Sequence, residues 1–209
     1  SYFNLKKENL HKSKKILVTG NTVVEVVKDN LKKAKKINTL DKFKLKKNNY
    51  FLVTLHRPET VDDSIRLKKL FKTFNKLLKQ HNMPIIFPAH PRTRKNIKKF
   101  KVKIGKITLI DPVGYIDFLN LQKNAKLIFT DSGGVQEEAC ILGVSCLTIR
   151  NNTERPETVN VGANIICGYT EKKIIKFANK SIKKNKKWKM PLGNGTTSKI
   201  ILRHLKSIY

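Results

Sequence analysis

"LIFTDSGGVQEEAC", Leu127 to Cys140, is the stretch that decides the fold. A short apolar run enters Thr130-Asp131-Ser132-Gly133-Gly134, and a helical pattern opens directly behind it with Val135, Ala139 and Leu142 on one side. Buried strand, glycine turn and helix in that order make one βα unit, and the turn places backbone N–H groups at a helix N-terminus. Glycine there lets an anion approach the backbone with no Cβ in the way. A plain tight turn with Ser132 as helix N-cap explains the same residues. Glu138 favours the anion reading. At about 100° per residue it shares the side of Val135 and Leu142, whereas Gln136 and Glu137 point the other way. A carboxylate inside an apolar stripe needs partners, and two ribose hydroxyls next to a phosphate would supply them. Glu137 reads as a solvated first-turn acid that complements the helix dipole.

Outward from this unit, short β-branched runs alternate with helical patterns. Strands are predicted at 15–20, 50–56, 84–90, 107–111, 126–131, 145–150 and 164–168. The clearest helix is 64–80, with Leu67, Leu70, Phe71, Phe74, Leu77 and Leu78 in one stripe, and another begins near Tyr115. Basic, weakly apolar segments at 32–48 and 171–190 read as an exposed helix plus linker and a surface helix. The alternation predicts an α/β fold: a Rossmann-like parallel sheet with helices on both faces.

The chain has 209 residues and a formal net charge of +30, with 45 Lys and Arg against 15 Asp and Glu. The lysines are spread over every predicted helix rather than gathered in a stripe, and no aromatic-basic interleaving accompanies them. No nucleic-acid partner is therefore expected. The charge does imply a field that draws in anionic ligands in a salt-dependent way. No apolar run is long enough for a membrane span, so no membrane partner is expected either. Cys140, Cys146 and Cys167 lack metal-ligand spacing and read as free buried thiols of a cytoplasmic protein; no metal or cofactor is called for.

In a doubly wound parallel sheet the carboxyl ends of the strands share one edge, where ligands bind. The predicted strands end in Thr54-Leu55-His56-Arg57, Pro88-Ala89-His90-Pro91, Asp111-Pro112, the glycine turn, and Arg150-Asn151-Asn152. His56 and Arg57 read as an anion-facing pair, with His56 near the reacting or leaving group. His90, between prolines and followed by Arg92 and Arg94, reads as a second anion contact. His11, His81 and His204 carry no assignment.

Taken in order, "VTGNTVVEVV", "TLHRPETVDD", "FPAHPRT", "DPVGYIDFLNL", "TDSGGVQEEACILG", "RNNTERPETVNVGAN" and "PLGNGTTSKII" resemble the non-hydrolysing UDP-N-acetylglucosamine 2-epimerases across roughly residues 10 to 205. The resemblance implies the C-terminal domain of a GT-B-type two-domain fold. Residues 1–22 would be the tail of a first domain and the hinge at Gly20-Asn21-Thr22. Residues 23–209 would be the UDP-binding domain, whose last helix (196–209) packs back on the first.

The same resemblance assigns Ser132 and the amides of Gly133 and Gly134 to the diphosphate, and Glu138 to the ribose. It gives Phe118 and the backbone at Val113 to the uracil, Arg155 to a polar contact, and His56 to the catalytic centre. Arg57 and His90 match positions that contact a second, activating UDP-GlcNAc in some members; Pro58 stands where the commoner pattern has another arginine. The implied reaction interconverts UDP-GlcNAc and UDP-ManNAc by elimination and re-addition of UDP. The acid/base carboxylates belong to the first domain, so this half alone is expected to bind UDP but not epimerise. Its partners would be the N-terminal half, in cis or in trans, and a second copy in a homodimer. A GT-B glycosyltransferase fragment and a non-catalytic UDP-sugar-binding module are the alternative readings.

Overall fold

A computed structural model describes residues 2–8, 16–183 and 187–208. In chain order they form α1 (Tyr2–Lys7), α2 (Val23–Ala34), α3 (Thr39–Lys42), β1 (Phe51–Thr54), α4 (Pro58–Val61), α5 (Ser64–His81) and β2 (Ile85–Pro88). There follow α6 (Pro91–Lys99), β3 (Thr108–Ile110), α7 (Tyr115–Asn124), β4 (Leu127–Thr130), α8 (Gly133–Leu142) and β5 (Cys146–Thr148). The chain closes with α9 (Pro156–Asn160), β6 (Asn164–Ile166), α10 (Glu171–Lys183) and α11 (Thr197–Lys206).

The six strands pair in parallel throughout, in the order β3-β2-β1-β4-β5-β6. Side chains alternate across a strand, and the two cores follow that alternation. Phe51, Val53, Ile85, Phe87, Leu127, Phe129 and Leu147 join one cluster with Leu67, Leu70, Phe71, Phe74 and Leu77 of α5. Leu52, Ile86, Ile128 and Cys146 join the other, with Val27 of α2, Leu119 and Leu121 of α7, and Ala139 and Leu142 of α8. Helices thus cover both faces, as expected. The three cysteines are free and buried.

Helix ends follow local chemistry. Asp63 caps α5 by accepting from the Arg66 amide at 2.9 Å. Pro91 and Pro156 open α6 and α9, where a missing N–H removes no hydrogen bond. Gly143, at φ 74°, ends α8 in the left-handed conformation. The basic segment at 32–48 differs from expectation: its helix starts earlier, at Val23, and buries Val24 and Val27.

The strand predicted at 15–20 does not form: 16–20 is irregular backbone, and Lys15 lies outside the described residues. Leu17 and Val18 are exposed rather than set in the sheet. This segment docks instead on the C-terminal stretch, with the Asn21 amide donating to Leu192 O at 2.8 Å and Thr197 Oγ1 donating to Thr19 O at 2.9 Å. The crossing is tight. A Cβ on Gly20 would come within 2.7 Å of Thr197 Oγ1. Of the expected 1–22 tail, residues 1 and 9–15, including His11, lie outside the described residues. Among the described residues no helix is long and apolar enough to cross a membrane.

Candidate functional site

The strand order reverses between β1 and β4, and the crevice of a doubly wound sheet opens at that reversal, beyond the carboxyl ends of the strands. Two loops meet there: His56-Arg57 after β1 and Asp131–Gly134 after β4. Asp131 joins them. Fully buried, it accepts from the His56 amide at 3.1 and 3.0 Å and from the Arg57 amide at 2.9 Å. His56 Nδ1 lies 3.2 Å from Asp131 Oδ1. Asp131 was not singled out in the sequence because its partners are some 75 residues away; its only local signal is an acid ending a buried strand.

Behind Asp131, Ser132 takes the N-cap position of α8 in an extended conformation, but its side chain makes no cap hydrogen bond. The first amides of the helix, at Gly133, Gly134 and Val135, precede the first i to i−4 bond, from the Gln136 amide to Ser132 O. A Cβ at Gly134 would meet nothing nearer than Ser132 Oγ at 4.0 Å, and one at Gly133 would rest 3.6 Å from both Arg155 and Glu154. Neither glycine is therefore demanded by packing within the domain. Glu154 is neutralised by its neighbours: Arg150 Nη1 donates to both its oxygens at 2.9 Å, and Arg57 Nη2 lies at 3.8 Å. The Arg150 guanidinium holds the Glu154 carboxyl below the usual range.

The adjacent glutamates depart from the reading of the sequence. Glu137 is buried, not solvated: Asn21 Nδ2 donates to its Oε1 at 2.9 Å, and Arg155 Nε stands 2.7 Å from the same oxygen. That last contact is an ion pair without the alignment of a hydrogen bond. Gln136 is fully buried as well, accepting from Thr153 and from Asn164 Nδ2. A helical wheel with one inward stripe fails here because α8 is enclosed on several sides, by the sheet, α2, α7 and α9. Glu138 is half-buried and turned toward α7, where Gln122 Nε2 donates to its Oε2 at 2.6 Å. Burial pushes the Glu138 carboxyl above its ordinary 4.5, with hydrogen bonds from Gln122 and Tyr115 opposing and the charge of Glu137 adding. Burial, then the charge of Glu138, pushes the Tyr115 phenol up to about 12.

Tyr115 and Gln122 are the residues around Glu138 that the sequence did not flag. Phe118, one turn beyond Tyr115, is half-buried against the α2–α7–α8 core. Val113 lies in the loop entering α7 and lines a cleft of about 550 Å³ with Phe43, Arg94 and Asp117. On the other side of the crevice the His56 and His90 rings are 5.7 Å apart. His90 caps α6, its Nδ1 accepting from the Arg92 amide at 3.2 Å. Arg92 and Arg94 are engaged elsewhere, on Asp62 and Asp111. The structure thus brings together His56, Arg57, His90, Ser132, Gly133, Gly134 and Arg155, with Glu138 one turn into α8 and Phe118 and Val113 beyond it. Among the described residues no group of three or more His, Cys, Asp or Glu is arranged to hold a metal.

A parallel sheet in this order, with a glycine turn and a half-buried carboxylate at its reversal, defines a Rossmann-type class of domain. The UDP-N-acetylglucosamine 2-epimerase family model matches residues 2–206. The chain belongs to that family. It is 48% identical over 210 residues to the UDP-N-acetylglucosamine 2-epimerase of Methanocaldococcus jannaschii, covering 97% of this chain and 57% of that protein. It is 47% identical to the Methanococcus maripaludis enzyme, covering 95% and 56%. The crystal structure of the M. jannaschii epimerase in complex with UDP-GlcNAc and UDP superimposes with a TM-score of 0.84 at 45% identity, over 97% of this chain and 58% of that one. The Neisseria meningitidis epimerase bound to UDP-GlcNAc gives 0.81 at 30% identity, over 95% and 58%. This chain spans somewhat more than half the length of these relatives.

Proposed function

We propose that this chain is the UDP-binding half of a UDP-N-acetylglucosamine 2-epimerase. The observation that carries the reading is the turn at the sheet reversal, where helix amides and a capless serine hydroxyl adjoin a half-buried carboxylate one turn along. The diphosphate lies against the amides of Gly133 and Gly134 and the Ser132 hydroxyl, on the positive end of α8. Glu138 accepts from the ribose hydroxyls. Phe118 borders the uracil, and the backbone at Val113 reads its edge. Arg155, beside Gly133, offsets phosphate charge.

Catalysis consists of eliminating UDP from the sugar with loss of the C2 proton and re-adding it with the proton on the other face, interconverting UDP-GlcNAc and UDP-ManNAc. This half stabilises the charge that gathers on departing UDP: fixed amides and His56 are aimed where that charge appears. The C2 acid and base come from an N-terminal half docked against the 16–21 segment and α11, whose exposed Ile201, Leu202 and Leu205 suit burial by such a partner. Arg57 and His90, flanking His56, serve a second UDP-GlcNAc in the assembled enzyme, which is a cytoplasmic homodimer. The test is calorimetric titration of UDP into this chain and into Ser132→Ala. Binding by the parent, weakened roughly tenfold by loss of one hydrogen bond of about 1.4 kcal/mol, supports the reading. Equal affinities would remove the turn from the site.

A further inference from the structure

Asp131 has more work than closing a loop. Its two oxygens are used differently. Oδ2 accepts from both backbone amides, His56 at 3.0 Å and Arg57 at 2.9 Å, whereas Oδ1 shares the His56 amide at 3.1 Å and also lies 3.2 Å from the imidazole Nδ1. Asp131 is fully buried, while the His56 side chain remains 35% exposed. A carboxylate that already accepts backbone amides offers the ring nitrogen beside it an acceptor, which favours a hydrogen on Nδ1. The opposite nitrogen, Nε2, is then left bare on a side chain that is 35% exposed.

We propose that Asp131 is the positioning residue of this site: it fixes His56 as the Nδ1–H tautomer and presents Nε2 to the diphosphate. The second half of that statement rests on the UDP reading; the first does not. A carboxylate behind an imidazole sets its tautomer and steadies it when its far nitrogen takes up a proton at a phosphate oxygen. The 3.2 Å contact is an ion-pair distance without hydrogen-bond alignment, as catalytic contacts often are before a ligand is bound. Arg57 follows on the same clamp, so one buried acid orients both residues that the β1 loop contributes. His90, whose ring is 5.7 Å away, is occupied through Nδ1 by the Arg92 amide and does not compete for Asp131.

Asp131→Asn separates positioning from architecture. With its amide oxygen in the Oδ2 place it keeps the His56 and Arg57 amide donors there and loses only the longer His56 contact to Oδ1; its NH2 faces the imidazole, so Nδ1 must accept and the proton moves to Nε2. The measurement is long-range proton–nitrogen NMR on histidine-labelled chain, with the His56 signals assigned by their loss in His56→Gln. The expected parent spectrum is Nδ1–H with a bare Nε2, exchanged in Asp131→Asn. Adding UDP to the parent should shift Nε2 far more than Nδ1. A parent His56 in the Nε2–H form overturns the proposal whether or not Asp131→Asn folds, and so does a folded Asp131→Asn with the parent tautomer. If UDP fails to bind the parent while the tautomers behave as described, the binding reading fails and the positioning role stands.

Discussion

Glu138→Gln isolates the ribose contact. The substitution keeps shape and one acceptor oxygen but removes the charge. Two hydroxyls donating to a carboxylate contribute roughly 1.5–3 kcal/mol each, and the remaining neutral acceptor about 1 kcal/mol, so the loss is about 2–5 kcal/mol. Binding also removes the half-buried carboxylate further from solvent, which trims the loss toward the lower end, near 2 kcal/mol or roughly 30-fold in Kd. Stability moves the other way. Burial already raises the Glu138 carboxyl above 4.5, and the buried Gln122 Oε1 has no hydrogen-bond partner. An amide at 138 carries no charge to desolvate and can donate to that oxygen. Tm should therefore hold or rise while UDP affinity measured by calorimetry falls.

The pH dependence carries the same signature. A carboxyl raised on folding binds its proton more tightly in the native state, so its contribution to stability shrinks as pH climbs from 4.5 through the folded value. UDP affinity instead drops as pH falls through that value, and both trends vanish in Glu138→Gln. An affinity within about threefold of the parent, where roughly 30-fold is expected, would refute the ribose assignment. A Tm and an affinity that fall together would refute the reasoning about Gln122.

Two further substitutions probe the same helix. Gly134→Ala places a methyl in space bounded only by Ser132 Oγ at 4.0 Å. It should raise thermal stability by roughly 0.5–1 kcal/mol, through the helix preference for alanine, yet weaken UDP binding by crowding the diphosphate. Glu137→Ala leaves Asn21 and Arg155 without their shared acceptor. It should cost about 1–3 kcal/mol, a drop of several degrees in Tm, whereas a solvated acid would change stability by under about 0.5 kcal/mol.

Six of the seven expected strands form: the inner four, β1, β2, β4 and β5, are short apolar runs buried on both faces, as a covered parallel sheet requires, and the edge strands β3 and β6 are only partly buried. The seventh, at 15–20, has the same composition, but composition does not say whether a neighbouring strand is present, and here that backbone bonds to the 191–197 stretch. Strand order was not legible either, since it depends on which crossovers pair. The turn was readable because it is local: Ser132, Gly133 and Gly134 between a buried strand and a helix follow from adjacent residues, whereas the helical period misjudged α8, in which Gln136 and Glu137 are more buried than Glu138. The site was unreadable where distant segments meet. Glu137 looked solvated because Asn21, 116 residues away, and Arg155 carry no local trace. Asp131, read as the last residue of a strand, gave no sign of its partners for the same reason.

The most direct measurement is a crystal structure of this chain soaked with UDP. The diphosphate should lie on the Gly133 and Gly134 amides, with the ribose hydroxyls on Glu138 and His56 Nε2 toward the phosphates. UDP bound elsewhere, for example along the lysine-lined groove between α5 and residues 101–106, with the turn untouched, would contradict the account.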